Sequence, residues 1–209
     1  MTMCDKAQEL LRNMKSTAAA RYNASKRLEG RERSLIRLTG FTSAYLIGLT
    51  VLPYFIDLPV GAADRMNLLT FALGVIILVA SLIQYSARDG INAEQHYRCG
   101  LEISEMRRRL KITAKAATDE ELLEIGDAYA LILQKYSINH DQVDFDQYRM
   151  ERKEEARKFN FIERTAISLR IGIVRHLASI MLLTVSLLLA WLIFAIIAPA
   201  WQLSAVAPV

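Results

Sequence analysis

Two places in the sequence bring together residue types that can do chemistry. His96 and Cys99 stand three positions apart and share a face if their segment is helical, where imidazole and thiol can ligate one metal ion. The run Asn139-His140-Asp141 with Asp144 and Asp146 packs three carboxylates and an imidazole into eight residues, enough donors for a divalent cation. Each place also has a plainer reading. His96 and Cys99 fall in register with Ile103 and Met106 on an apolar seam, the pattern of a packed core. Asp141 is placed to cap a helix on which Asp146 points away from Asp141 and Asp144, and the glycine-turned loop of a calcium site is absent. The plainer readings are preferred. The expectation is a chain with no catalytic residue, no metal site and no cofactor. It has no Gly-rich phosphate loop, no nucleophile elbow and no basic–aromatic surface for stacking bases, so no direct nucleic-acid binding is expected.

The elements that would hold these residues read as helices. Asn92, His96, Cys99, Ile103, Met106 and Leu110 recur at spacings of four and three, a coiled-coil-like seam on a helix that continues from the preceding segment with only Gly90 to interrupt it. Thr118 and Glu121 form a capping box ahead of Leu122, Ile125, Tyr129, Ile132 and Tyr136. After a break at Ser137–His140, Asp141 is the N-cap of a final helix through Phe145, Tyr148, Ala156, Phe159 and Ile162, which is expected to run on toward the C-terminus. The alternating charges of Met150–Lys158 read as a solvated face. At the other end, Asp5–Leu28 is helical by composition, with Leu11, Met14, Ala18 and Tyr22 on one side.

Between and after these helices lie three stretches without Asp, Glu, Lys or Arg: Leu38–Ile56 (19 residues), Met66–Ala87 (22) and Leu177–Val209 (33). A helix needs about 20 apolar residues to cross a hydrocarbon core of ~30 Å. Three spans are therefore expected, in an all-α membrane protein whose helical cytoplasmic domain lies between the second and third. The expected organisation is a cytoplasmic N-terminal helix (1–37), a transmembrane hairpin (38–87), a cytoplasmic helical domain (88–175), and a third span with an outer tail (176–209). Nine Lys and Arg precede the first span, sixteen lie in 88–175, one (Arg65) lies in the hairpin turn, and none follows the third span. The positive-inside rule then places the N-terminus in the cytoplasm and the C-terminus outside. No cleavable signal segment is expected, since 37 largely polar residues come before the first apolar run. Cys4 and Cys99 have no paired or metal-site spacing and read as reduced cytosolic thiols.

Small polar residues form stripes on both helices of the hairpin. Thr39, Ser43 and Thr50 fall within about 40° of one another at 100° per residue, with Thr42 to one side, and Asn67, Thr70, Gly74, Ser81 and Gln84 fall within about 100°. They serve either as close-packing, hydrogen-bonding contacts between helices or as the lining of a water-filled path in an oligomer. No ionisable residue lies within either stripe, and the residues alone favour packing.

Three segments carry a resemblance. They are Arg21-Tyr22-Asn23-Ala24-Ser25-Lys26-Arg27-Leu28-Glu29, Ala93-Glu94-Gln95-His96-Tyr97-Arg98-Cys99, and Tyr136-Ser137-Ile138-Asn139-His140-Asp141-Gln142-Val143-Asp144-Phe145. In this order around a two-span hairpin, the chain resembles the SLATT effector family, the SMODS- and SLOG-associating two-transmembrane domains. The motif residues are Tyr22, Asn23, Ala24, Lys26, Arg27, Asn139, His140, Asp141 and Asp144. Phe145 stands where the family pattern has Tyr, and the third span lies beyond the two-span plan, like the subgroup encoded beside reverse transcriptases. The resemblance implies a bacterial anti-phage effector of the inner membrane, controlled by a nucleotide second-messenger system or reverse transcriptase encoded nearby. It would homo-oligomerise in the lipid, perforate or depolarise the membrane and stop growth. With that implication the two readings of the stripes stand level. The rival reading is a non-catalytic membrane anchor that recruits a cytosolic partner through its helical domain.

Overall fold

Nothing in the first fifty residues breaks a helix: Pro is absent, and Ala, Leu, Arg and Lys are frequent. In the computed structural model, α1 accordingly runs unbroken from Met3 to Val51. The N-terminal helix and the first apolar run are therefore one element. Pro53 ends it in a single 3-10 turn, Leu52–Tyr54. The structure describes residues 3–55, 61–114, 117–157 and 159–204. Ile56, residues 57–60 of the expected outer connection and residues 205–209 of the expected outer tail lie outside the described residues.

The return helix α2 spans Ala62–Ala87. Arg88, in the left-handed region at φ 48°, separates it from α3, Asp89–Thr113. The expected interruption at Gly90 is thus displaced by two residues, and Gly90 is helical. α4 spans Asp119–Tyr136, with Thr118 Oγ1 accepting from the Glu121 N–H at 3.2 Å and the Thr118 N–H donating to Glu121 Oε2 at 2.8 Å, as the capping box requires. Ser137, at φ 45°, stops it.

The single final helix expected from the sequence is instead three. α5 covers Gln142–Glu151, α6 Lys153–Ala156 and α7 Phe161–Ser204. Arg152 leaves the helical region (φ −97°, ψ 113°) and sends its Nη1 back to the Tyr148 hydroxyl at 2.8 Å. Asn160 opens α7 afresh, its Oδ1 accepting from the Phe161 N–H at 2.7 Å while its own N–H reaches Glu163 Oε2 at 2.9 Å. Such local hydrogen bonds let Asn compete with helix continuation.

The chain is an all-α membrane protein. Two stretches are helical, long and apolar enough to cross a bilayer, within Asp5–Tyr54 and Ala62–Thr113; a third requires Phe161–Val174 and Ser179–Leu188 to count together as one broken span. The contacts divide into two compact units. One comprises Met1–Gly30 with Arg88–Arg175, and the other Arg31–Ala87 with His176–Val209.

The core of the first unit joins Met14 and Ala18 of α1, Cys99, Ile103 and Leu110 of α3, and Leu122 of α4, with Leu11, Met106, Tyr129 and Ile132 packed around them. The second unit has a thin core of Leu49, Ala62, Met66 and Leu73, joined by Leu46, Leu69, Ile76 and Val185. Phe71, Leu78, Leu187 and Phe194 point outward and are exposed, as helices surrounded by hydrocarbon allow.

Candidate functional site

In the first unit, α1 buries a seam of Met14, Ala18, Arg21, Ser25 and Leu28, at spacings of four and three. A guanidinium on an apolar seam must find partners, because a buried unpaired charge is costly. Arg21, 3% exposed, donates through Nη1 to the Ile138 carbonyl and lies 3.3 Å from His96 Nδ1. Arginine has no acceptor, so His96 Nδ1 must be the unprotonated nitrogen and Nε2 carries the hydrogen. Burial, reinforced by the Arg21 charge, lowers the His96 pKa to about 4 and keeps the ring neutral. Burial likewise pushes His140 down, again with Arg21 contributing.

Two turns along α1, Arg27 grips the start of α5. Its Nε and Nη2 donate to Asp144 Oδ1 and Oδ2 at 2.8 and 2.9 Å, and Nη2 also lies 2.7 Å from Asp141 Oδ2. Burial opposes the Arg27 charge, but the hydrogen bonds and charge of Asp144 outweigh it and raise its pKa. Asp144 is 1% exposed, and its Oδ2 also accepts from the Asp141 N–H at 3.1 Å, so one carboxylate both caps the helix and receives the cation. Asn23 Nδ2 donates to the Asp144 carbonyl at 3.1 Å. Beside them is a cavity of about 30 Å³, room for a water, lined in part by Asn23, Lys26, Arg27, Asp144 and Gln147.

The motif residues thus mostly meet at one place. Ala24 is fully buried, and Tyr22 stacks edge-on with Tyr97 at 5.9 Å while its hydroxyl lies 3.3 Å from Ser104 Oγ. The His140 ring lies against Phe145 at 6.4 Å. Two motif residues stand apart: Asn139 is exposed, and Lys26 is exposed although it borders the small cavity. Asp146, on another side of α5, is buried and accepts from Gln142 Nε2 at 3.0 Å.

Chemically, the cluster is a lock made of ion pairs and hydrogen bonds. Among the described residues no three His, Cys, Asp or Glu side chains gather as a cation-binding group. Cys99 lies in the core with its thiol pushed up by burial. The roles of Arg21 and His96 were missed in reading the sequence. The available signal was a cation on the Met14–Leu28 seam facing a histidine on the seam of α3.

The family model for the SMODS and SLOG-associating 2TM effector domain family 5 matches residues 3–197. The chain belongs to that family. No curated protein and no solved structure matches it. The SLATT match takes in α1, the hairpin, the lock and most of α7.

In the membrane unit of this SLATT protein, the hairpin stripes and the buried faces do not coincide within one chain. The buried residues of α2 are Ala62, Met66, Leu73 and Ala80. Asn67 and Ser81 are exposed, and Thr70, Gly74 and Gln84 are half-buried. A Cβ built on Gly74 meets nothing within 4 Å. On α1, Thr39 and Ser43 are half-buried and Thr50 is exposed. The hydroxyls of Thr39, Thr50 and Thr70 bond back to their own helix, at the carbonyls of Leu35, Ile47 and Asn67. Thr42 is the hydroxyl that packing encloses, at 1% exposure, and its Oγ1 finds no partner.

Proposed function

We propose that this SLATT protein is a non-catalytic effector of a bacterial anti-phage system, which assembles in the inner membrane and lets ions cross it. It would span the membrane three times, with a cytoplasmic N-terminus and an outer C-terminus, and α7 would supply the third span. The observation that carries this reading is the stripe on α2: a single chain leaves Asn67 and Ser81 exposed and Thr70, Gly74 and Gln84 only half-buried. Polar groups facing hydrocarbon are unfavourable, and in membrane proteins they usually face a bundle interior or a water-filled cavity. Copies arranged with Asn67, Thr70, Ser81 and Gln84 inward would take these positions out of the hydrocarbon and enclose a polar path. The Arg27–Asp144 lock, in the unit expected to be cytoplasmic, would report the upstream signal, from a nucleotide system or reverse transcriptase encoded nearby.

Induction in cells carrying a potential-sensitive dye tests the proposal. Wild type should depolarise the membrane and arrest growth once the neighbouring genes signal. Full potential in arrested, induced cells would remove the pore reading. Topology is checked separately: a reporter after Val209 should be active outside the cytoplasm and one at Met1 inside.

A second reading, a membrane anchor for a cytosolic partner, is favoured by two open grooves along α3 and α4, of about 830 and 610 Å³. Both meet at Leu101 and Glu102, giving one long docking face. A partner captured through this face with the membrane potential intact would support it.

A further inference from the structure

The membrane unit holds a groove that the proposed ion path does not use. It lies between α2 and α7, is open along one side, has a volume of about 480 Å³ and is lined chiefly by Arg65, Leu68, Ala72, Leu188, Trp191 and Ala195. Positions 65, 68 and 72 form a stripe on one helix, and 188, 191 and 195 form the same stripe on the other. Its lining carries one charge, the Arg65 guanidinium, in the second turn of α2. Among the described residues no carboxylate pairs with Arg65. Asp64 beside it is exposed and does not line the groove.

The chemistry of the lining points to the occupant. From residue 65 to 72 the groove is about 10 Å long at 1.5 Å rise per residue. An extended hydrocarbon chain fits along a groove of this length and volume. Apolar walls give water no partners, so water does not fill the space well. A cation at one end of an apolar slot matches a ligand with an anionic head and an acyl tail, and a guanidinium suits phosphate in particular.

We propose that this groove binds a phospholipid, with its phosphate on Arg65 and one acyl chain between Leu68 and Ala72 of α2 and Leu188 and Trp191 of α7. The lipid would then join the third span to the hairpin. The site rests on the reading of α7 as a span, which the Val209 reporter tests independently.

The full chain, extracted in mild detergent, is analysed by native mass spectrometry after addition of phosphatidylglycerol, phosphatidylethanolamine or diacylglycerol. Wild type should hold one phospholipid of either kind and no diacylglycerol, and millimolar inorganic phosphate should not displace it. Arg65→Gln should cut occupancy about tenfold. Ala72→Trp and Leu188→Trp, which fill the slot from opposite walls, should abolish it, while Leu78→Trp, on an outward-facing position, should leave it intact. Equal occupancy in all variants would overturn the proposal, and so would diacylglycerol binding as well as the phospholipids. A change in oligomer size with Ala72→Trp at undiminished lipid occupancy would assign the groove to a second copy instead.

Discussion

Arg27 and Asp144, 117 positions apart in the chain, meet in a two-pronged ion pair at 2.8 and 2.9 Å, with the carboxylate 1% exposed. Removing one partner strands the other. Arg27→Met should destabilise the unit by about 3–5 kcal/mol, the scale for breaking a buried pair. Asp144→Leu combined with Arg27→Met should cost less than the two single changes added together, because no charge is then left buried. Thermal unfolding in detergent, with protease sensitivity of Asp5–Leu28 as the local readout, measures both.

The neutral His96 makes the same unit sensitive to acid. Its folded pKa of about 4 lies below the unfolded value of about 6.5, so the unfolded chain binds more protons between these values. Stability should be constant above about pH 6.5 and fall as the pH drops toward 4, by roughly 3 kcal/mol in all. His140, also lowered, adds to the loss in the same direction. His96→Gln, which can still accept from Arg21 but cannot be protonated, should flatten the profile; an unchanged slope would remove His96 as its source.

Cys99 should be inert in the native protein. It is fully buried, and burial raises its pKa, so little thiolate forms. Maleimide followed by peptide mapping should find Cys99 unmodified in the folded chain and modified after denaturation. Labelling of native Cys99 would show that α1 and α3 separate readily.

At Gly100 the Tyr22 ring of α1 lies against α3: an added Cβ would lie 3.0 Å from the ring. That ring is held by Tyr97 and by Ser104, so it cannot simply swing away. Gly100→Ala should cost about 1–3 kcal/mol through overpacking. Tyr22→Leu in the same chain should recover part of the loss, which a difference in helix propensity would not.

The hairpin stripes give a functional prediction. Thr50→Leu, Gly74→Leu and Ser81→Leu should leave insertion intact and reduce depolarisation if these positions line a path. Gly74 is the sharpest of the three, because one chain has open space there. Harm already from Gly74→Ala, which adds only that Cβ, would therefore point to contacts between copies or to the path. Cysteines at Thr50 and Ser81 that react with water-soluble thiol reagents only after induction would place both positions in water.

Periodicity made the individual faces legible. His96, Cys99, Ile103 and Leu110 are buried as their spacing requires, and Thr118 with Glu121 caps α4. What spacing does not encode is which face meets which. Nothing local in Arg21–Glu29 says that Arg27 will close on Asp144, since that pairing depends on three intervening helices finding their places. The hairpin was harder for another reason. In hydrocarbon a polar stripe and a packed stripe do not have to coincide, and the enclosed hydroxyl proved to be Thr42, to the side of Thr39, Ser43 and Thr50. The breaks before α6 and α7 are hidden from periodicity because Arg152 interrupts one helix and Asn160 starts α7 through their own side chains and backbone, against a background of helix-forming charges.

One unit is assembled from Met1–Gly30 and Arg88–Arg175, with the entire hairpin intervening. A ribosome making roughly 5–20 residues per second needs about 6–23 s to travel from Gly30 to Asp144. The Met14–Leu28 seam has no partner until α3 has been made, and Arg27 has none until the end of the interval. Both hairpin helices leave the ribosome before α5 does, so membrane insertion comes first and the lock closes on a chain already committed to the bilayer. The order of synthesis thereby threads a finished hairpin between the two pieces of a unit that is still open.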